Sequence, residues 1–249
     1  MGFLALRVLR LSYVDLLGDG YLVKDFLENC PSLEELTLLD CVLSKLDLLC
    51  ISCPKLKKLS ILNLDNMDDG MSGGIKISCP KLVDLDLKGL IANNFFFECL
   101  DSLNKAELEP KFMGNIKYVL FPGISHVEHL LIDLNFFSQC VFAACDPALR
   151  NMKTLVLTTS IDAFTMDEFI RILKYYPKIE SLKLIVREKF DEPEEWELHE
   201  GEARRLMTPD VKRVEFFEFK GEKSKFISDW EEDVYMEMVF SWGTKGKYF

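Results

Sequence analysis

The sequence has few of the residues and motifs on which catalysis usually depends. Histidine occurs only three times in 249 residues, which leaves few candidates for a general base. The phosphate-binding patterns G-x-x-x-x-G-K-[ST] and G-x-G-x-x-G are absent, and so is the nucleophile motif G-x-S-x-G. We therefore predict that the chain is not an enzyme and that it binds no cofactor.

The sequence also lacks net positive charge. Lys and Arg number 30 against 41 Asp and Glu, so the formal charge is −11, which disfavours nucleic acid and anionic lipid as partners. No apolar run approaches the ~18 residues of a membrane span. Arg7 and Arg10 interrupt the apolar N-terminus, and no secretory cleavage pattern follows it. We expect no nucleic-acid partner, no membrane, and a reducing cytoplasmic or nuclear location.

Metal-binding and redox motifs are scarce as well. Cys50-Ile51-Ser52-Cys53 is a C-x-x-C pattern, but no second pair with zinc-site spacing accompanies it. His126 and His129 lie three residues apart without the helix that would bring them together as in H-E-x-x-H. A metal or redox role is the alternative for these motifs. We predict that they are structural and that the chain has no metal site.

What the sequence does contain is a repeated phrase, C-P-x-L-x-x-L-x-L. Three near-copies begin at Cys30, Cys53 and Cys79, where the cysteine is expected to be a small buried filler. The core of the phrase, L-x-x-L-x-L, recurs at intervals of 21 to 27 residues, and of 32 before the last copy. All but the last interval lie in or close to the period of a leucine-rich repeat. The first residues of the nine copies are Leu6, Leu33, Leu56, Leu82, Leu103, Val127, Met152, Ile179 and Val211.

Each copy predicts a short strand whose alternate side chains point inward. A single strand cannot bury that face, so neighbouring copies should stack as a parallel sheet with strands ~4.8 Å apart. The predicted fold class is α/β: a horseshoe-like leucine-rich-repeat solenoid with loops and short helices on its convex side. Eight residues after the first core residue, Cys41 and Asn135 occupy the position that usually satisfies backbone groups at the turn.

The segments that return between the strands carry weaker signals. Residues 23–30 predict a short helix before Pro31, and a second helix is predicted behind the capping box at residues 165–168. Residues 65–74 predict an exposed loop. Residues 93–97 include three consecutive phenylalanines, for which a buried return segment is preferred over a ligand-binding box.

The chain resembles the plant F-box/leucine-rich-repeat proteins, particularly those that end in an FBD domain. The three Cys-Pro phrases and the later stretch Tyr176-Pro177-Lys178-Ile179-Glu180-Ser181-Leu182 carry the resemblance. Residues 211–216, with Phe219 and Gly221, are similar to the opening strand of an FBD domain. No helix and second strand that would complete that domain are found after Gly221.

The resemblance implies a function in target recruitment. In that family an F-box binds the Skp-type adaptor of a cullin ubiquitin ligase, and the repeats recruit a target. No F-box fits before Leu6, so a Skp-type adaptor is expected as a partner only if an F-box lies upstream. The predicted function is non-catalytic recognition of an unidentified protein, and the alternative is a truncated product that acts as a decoy or has no function.

Three regions are expected on this basis. Leucine-rich repeats occupy residues 1–186, and an acidic insertion or loop occupies residues 187–208. Residues 209–249 hold the last repeat with a partial FBD-like segment and a C-terminal tail.

The residues beside the core positions are expected on the concave face of the solenoid. Their mixed charges suit a protein or peptide better than a small molecule, although a strand face that binds nothing would also be polar. The predicted partner-binding residues are Arg10, Glu35, Thr37, Lys58, Ser60, Asp84, Asp86, His129, Asp133, Thr154, Ser181 and Lys183.

Overall fold

A computed structural model describes residues 3–16, 20–43, 46–64, 73–89, 92, 94–110, 123–134, 137, 149, 151–159, 172, 176, 178–186, 212–217 and 237–241. These residues form thirteen strands and one helix. In chain order the elements are β1 (Val8–Ser12), α1 (Gly20–Glu28), β2 (Glu35–Leu39), β3 (Leu49–Ile51), β4 (Lys58–Asn63), β5 (Ile75–Ser78), β6 (Asp84–Gly89), β7 (Phe95–Glu98), β8 (Lys105–Pro110), β9 (His129–Asp133), β10 (Thr154–Thr159), β11 (Ser181–Val186), β12 (Arg213–Phe217) and β13 (Glu237–Ser241).

Ten of the strands form one parallel sheet in the order β1-β2-β4-β6-β8-β9-β10-β11-β12-β13. The core positions are in register, so that Leu9 pairs with Leu36 and Leu36 pairs with Leu59. The first nine strands in this order fall on the nine copies of L-x-x-L-x-L. The predicted leucine-rich-repeat solenoid is therefore confirmed.

The Cys-Pro-x-Leu phrase is the turn that leads into a strand. The Leu33 N–H donates to Cys30 O at 3.0 Å, and the Leu82 N–H donates to Cys79 O at 3.0 Å. Proline suits the second position of such a turn because its ring fixes φ near −65°. The turn delivers the first core leucine into the interior, where Leu33, Leu56 and Leu82 are fully buried.

A second parallel sheet, in the order β3-β5-β7, was not predicted. Its inward side chains, among them Ile51, Ile75 and Phe95, belong to the same apolar core as the leucines of the large sheet. The return segment predicted around Phe95 is a strand, and the burial predicted for it is confirmed for Phe95 but not for Phe96, which is 42 % exposed. These strands have only three or four residues, which is too short for a period-2 pattern to stand out from a loop.

Other predictions meet mixed outcomes. The short helix predicted before Pro31 is confirmed as α1. The absence of a second strand after Gly221 was wrong, because β13 pairs in parallel with β12. Four other predictions fall outside the described residues. They concern Asn135, the loop at residues 65–72, the capping box at residues 165–168 and the acidic segment at residues 187–208.

Three strands of the large sheet have a left-handed residue at their end or directly after it. At the seventh position after the first core residue, φ is +55° at Tyr13, +46° at Asp40 and +82° at Gly89. The Asp40 carboxylate accepts a hydrogen bond from the Leu64 N–H at 2.7 Å. The next residue is Cys41, whose Sγ–H donates a hydrogen bond to Leu11 O at 3.5 Å. Its predicted role in satisfying backbone groups is therefore confirmed.

Gly89→Ala tests this turn. A Cβ at residue 89 would lie 2.0 Å from Asn63 O, and φ is left-handed there. We expect the free energy of unfolding to fall by about 1–3 kcal/mol, measured by urea denaturation. The control is Val83→Ala at a side chain that is 44 % exposed, where a loss within about 0.5 kcal/mol is expected. Equal stabilities of the two variants would contradict the argument.

The cysteines of the three Cys-Pro phrases occupy equivalent positions in successive coils. Cys30, Cys53 and Cys79 are each at most 1 % exposed, so their predicted role as buried fillers is confirmed. Burial raises the pKa of the Cys53 thiol from 9.0 to about 12, and the neighbouring Cys79 and Cys30 add to the shift. A buried, protonated thiol is a poor metal ligand and a poor nucleophile.

The raised pKa of Cys53 predicts a loss of stability at alkaline pH. Between pH 9.0 and about 12 the folded thiol keeps its proton while the unfolded thiol loses it. The unfolded state then binds fewer protons, so the free energy of unfolding falls as pH rises. The contribution of one thiol is at most ~1.4 kcal/mol per pH unit. Urea denaturation at roughly pH 8.5 and pH 10.5 should show a shallower fall for Cys53→Ala, and identical slopes would contradict the shift.

Candidate functional site

The side chains of the ten-stranded sheet that point away from the core form a surface that we call the open face. Because side chains alternate along a strand, the parallel register aligns them into three rows that run across the sheet. The first row is Val8, Glu35, Lys58, Asp84, Lys105, His129, Thr154, Ser181 and Arg213. The second row is Arg10, Thr37, Ser60, Asp86, Glu107, Leu131, Val156, Lys183 and Glu215. The third row begins with Ser12, Leu39, Leu62, Lys88 and Glu109. It also includes Asp133 and Ile185, and between them Thr158, which is buried.

All twelve residues predicted for partner binding lie in these rows. Eleven of them belong to the first two rows, and Asp133 belongs to the third. Their placement follows from strand geometry alone, because residues beside a buried position must face the other side of the sheet. Their role in binding a partner stays a prediction.

The middle of the open face holds a network of charges on β6 and β8, which we call the central cluster. Lys88 Nζ lies 2.7 Å from Glu107 Oε2 and 3.3 Å from Asp86 Oδ1. Lys105 Nζ lies 2.6 Å from Glu107 Oε1. Asp84 and Glu109 complete the cluster, which thus contains four carboxylates and two ammonium groups. Its charge is negative.

Burial and pairing act in opposite directions within the central cluster. Burial raises the pKa of Asp86, and the Glu107 carboxylate adds to the rise while Lys88 opposes it. Burial also disfavours ionisation of Glu107, but hydrogen bonds from Lys105 and Lys88 outweigh it and lower the pKa of that carboxyl. Asp86 and Glu107 are directly paired in register, an arrangement that repels like charges. Lys88 lies between them and relieves that repulsion.

An apolar strip borders the central cluster on one side. Leu131 of β9 pairs in register with Val156 of β10, and Ile185 lies on the next strand, β11. All three side chains are partly exposed. This strip was not predicted, because the whole row was expected to be polar. Lys88 was not predicted either, although the alternation of Asp84 and Asp86, extended by one more outward position, reaches it.

The histidine and cysteine motifs do not form a ligand site. His126 Nε2 is hydrogen-bonded to Leu100 O at 2.8 Å, while His129 is on the open face. Cys50 is in β3, and Cys53 is buried in a turn. Within the described part of the chain, no group of three or more His, Cys, Asp or Glu residues could hold a metal ion. None of the described helices is long and apolar enough to span a bilayer.

A second charged surface is formed by residues that lie just before the strands of the large sheet. The residue after the first core position carries charges of alternating sign in two runs of coils, which are separated by the uncharged Val83 and Asn104. We call this row the charge ladder, and its members are Arg7, Glu34, Lys57, Glu128, Lys153, Glu180 and Lys212. Arg7 lies 3.2 Å and Lys57 lies 2.8 Å from Glu34, measured between side-chain nitrogen and oxygen. Further along, Lys153 pairs with Glu128 at 2.9 Å and Lys212 with Glu180 at 2.9 Å. A cavity of about 510 Å³ beside these two pairs is lined by Glu128, Asn151, Lys153, Lys178, Glu180 and Lys212.

Comparisons with known proteins agree with this geometry. The family described as "At1g61320/AtMIF1, LRR domain" matches residues 1–226. FBD-associated F-box protein At5g56560 of Arabidopsis thaliana is 28 % identical over 189 residues, which are 75 % of this chain and 44 % of that relative. F-box/FBD/LRR-repeat protein At5g56420 of the same plant is 25 % identical over 182 residues, 73 % of this chain and 42 % of that relative.

The chain spans less than half the length of each of these two curated relatives. No solved structure matches it. The family match covers most of the chain, and it coincides with the coils that the leucine register defines. The leucine-rich-repeat domain is a protein-interaction fold, and this chain belongs to the At1g61320/AtMIF1 leucine-rich-repeat family of plant F-box/FBD/LRR-type proteins.

Proposed function

We propose that this chain recognises a protein target through the open face, without catalysis, as the substrate-recruiting region of an F-box ubiquitin-ligase receptor does. The observation that carries the proposal is the combination of the central cluster and the apolar strip on one continuous sheet face. Protein interfaces typically combine apolar patches with adjacent polar and charged ones.

The size of the open face supports a macromolecular target. Ten parallel strands at ~4.8 Å spacing extend over roughly 43 Å, which is far wider than a small-molecule pocket. The charges of the central cluster are already paired in the free protein, so an incoming group must compete with Lys88 and Lys105 for the carboxylates. A broad surface with many contacts can offset that cost, whereas a small ligand cannot.

The chemistry of the face indicates the kind of target surface that it fits. The excess of carboxylates around Asp86 and Glu107 favours basic side chains on the target. The neighbouring strip of Leu131, Val156 and Ile185 favours aliphatic or aromatic groups about two strands away. Within the proposal, a target surface that combines both features is preferred over a purely acidic one.

The names of the two curated relatives include the F-box. In such receptors the F-box binds the Skp-type adaptor, and the repeats bind the target. The described coils of this chain correspond to the repeats, so target binding is the part of that activity that we assign to them. The proposed location is the cytoplasm or nucleus, where thiols such as that of Cys53 stay reduced.

A charge-reversed variant of the open face tests the proposal. Lys58 and Asp84 are paired in register on β4 and β6, so Lys58→Glu combined with Asp84→Lys keeps their mutual attraction and the net charge. We expect target binding to weaken by at least about tenfold, because each reversed group meets a like charge on the target. The measurement is quantitative affinity capture from a plant extract with the wild-type and variant chains side by side.

The matched control reverses one lysine and one aspartate away from the open face. Lys55→Glu combined with Asp101→Lys changes two exposed side chains in turns and also preserves the net charge. Proteins retained by the wild type and by this control, but lost by the open-face variant, support the proposal. An unchanged set of captured proteins in all three samples would show that the open face does not select them.

A further inference from the structure

One oxygen atom of the central cluster is buried without a hydrogen-bond donor. Asp86 Oδ1 is inaccessible to solvent, and within the described part of the chain nothing donates a hydrogen bond to it. Lys88 Nζ lies 3.3 Å away, where it attracts the carboxylate without an aligned hydrogen bond. A buried polar atom that loses its water and gains no donor lowers the stability of the fold. Protonation of the Asp86 carboxylate would relieve this cost.

Asp86 also faces a second carboxylate across a pair of strands. Asp86 of β6 and Glu107 of β8 are register partners, and their side chains are 23 % and 19 % exposed. Ionised groups of like charge at directly opposite positions repel each other. When two carboxylates share a partly buried site, one of them takes up a proton more readily than an isolated carboxylate does.

The two carboxylates differ in the cations that they contact. Glu107 is paired through one oxygen with Lys88 at 2.7 Å and through the other with Lys105 at 2.6 Å, whereas Asp86 has the longer contact with Lys88. Burial opposes ionisation of Glu107, but hydrogen bonds from Lys105 and Lys88 outweigh it and lower its pKa. Burial raises the pKa of Asp86, Lys88 opposes the rise, and Glu107 adds to it. Asp86 is therefore the member of the pair that takes up a proton.

The other charges around Asp86 do not reverse this assignment. Its register partner on β4 is the uncharged Ser60, so the neighbouring charges come from its own strand, from β8 and from one residue of β4. Even with that residue included, carboxylates outnumber ammonium groups, which favours uptake of a proton. The ionisable groups that face Asp86 are Asp84 and Lys88 on β6, Lys105, Glu107 and Glu109 on β8, and Lys58 on β4.

We propose that Asp86 and Glu107 form a proton-binding pair, in which Asp86 takes up one proton from solvent as the medium becomes acidic and its new hydroxyl donates a hydrogen bond to the Glu107 carboxylate. One O–H bond forms on Asp86, and no bond of the protein breaks. The central cluster then carries one negative charge fewer.

The pair makes target recognition on the open face dependent on pH. A basic target surface is attracted by the carboxylates of the central cluster, and protonation of Asp86 removes one of them. The target is then held less tightly in acid. This consequence rests on the proposed function, whereas the proton site is a property of the free chain.

Titration of Asp86 in the free chain tests the pair. NMR detects the side-chain carboxyl carbons, and the aspartate signal that is missing from the Asp86→Asn spectrum belongs to Asp86. We expect this signal to titrate above the ordinary aspartate pKa of 3.8. A midpoint at or below that value would overturn the proposal.

Two variants distinguish a coupled pair from simple burial. Glu107→Gln removes the opposing charge at nearly equal size, and we expect the midpoint of Asp86 to move to lower pH. Lys88→Met removes the cation that favours ionised Asp86, and we expect the midpoint to move to higher pH. Burial alone predicts no change from Glu107→Gln, so an unchanged midpoint in that variant would overturn the pair.

Urea denaturation gives an independent readout. Between pH 3.8 and the raised pKa of folded Asp86, the folded state binds more protons than the unfolded state, so the free energy of unfolding falls as pH rises. Asp86→Asn cannot ionise, and we expect its urea midpoint to exceed that of the wild type at neutral pH, by a margin that shrinks toward pH 3.8. Asp84→Asn is the matched control, because it removes the same charge from the same face of β6. Equal gains in both variants would contradict a specific cost at Asp86.

Affinity capture tests the effect on recognition. We expect the wild-type chain to retain at least about threefold more target at about one pH unit above the measured midpoint than at about one unit below it. Asp86→Asn should lose this difference, and Asp84→Asn should keep it. Equal retention by the wild type at both pH values would overturn the coupling. If the wild type retains no specific protein at either pH, the proposed function fails, and the titration of the free chain still decides the proton site.

Discussion

The structure depends on one constraint, which is that no coil can bury its own leucines. A strand such as β4 offers Leu59 and Ile61 on one side, and each needs a neighbouring strand at the same register to exclude water. Burial of one such side chain contributes about 1.5–3 kcal/mol, so a shift of register by one residue would be costly because it moves every leucine to the open face. The parallel pairing of Leu36, Leu59 and Leu85 is the direct consequence, and the rows of the open face are its by-product.

Packing requires apolar residues at the inward positions of every coil. The coils therefore differ mainly in the residues at their outward positions. The ion pairs of the charge ladder lie at exposed positions, where each contributes little to stability. Lys88 is different, because it and its carboxylate partners are each less than one third exposed. Its loss would leave Asp86 facing Glu107 without the cation that lies between them, while Lys105 would still pair with Glu107. The central cluster is therefore held by its own pairing, and a target bound as proposed would have to replace that pairing with its own cations.

The sequence was sufficient to predict the features that recur in every coil. It was insufficient for the features that arise only when particular strands become neighbours. The nine strands followed from leucine spacing because every coil buries the same positions, and Cys53 could be assigned to the core from its recurrence. The second sheet was missed because Leu49–Ile51 has three residues and carries no period. The apolar strip was missed because Leu131 and Val156 meet only through strand pairing, and their separation in the chain hides that contact. β13 carries apolar residues at the spacing of the phrase, Tyr235, Met238 and Phe240, but none of them is leucine, so it was recognised only through its pairing with β12.

The same constraint makes distant coils of the protein nearly independent. In a stacked repeat each coil contacts only its neighbours, and the central cluster on β6 and β8 is separated from β1 by β2 and β4. Substitutions that share no partners generally act additively, so a change at Asp86 should leave the packing of Leu9 unaffected. The charges of the open face and the stacking of the coils are thus separable properties. The first is determined by outward side chains that differ from coil to coil, and the second by the apolar register that all coils share.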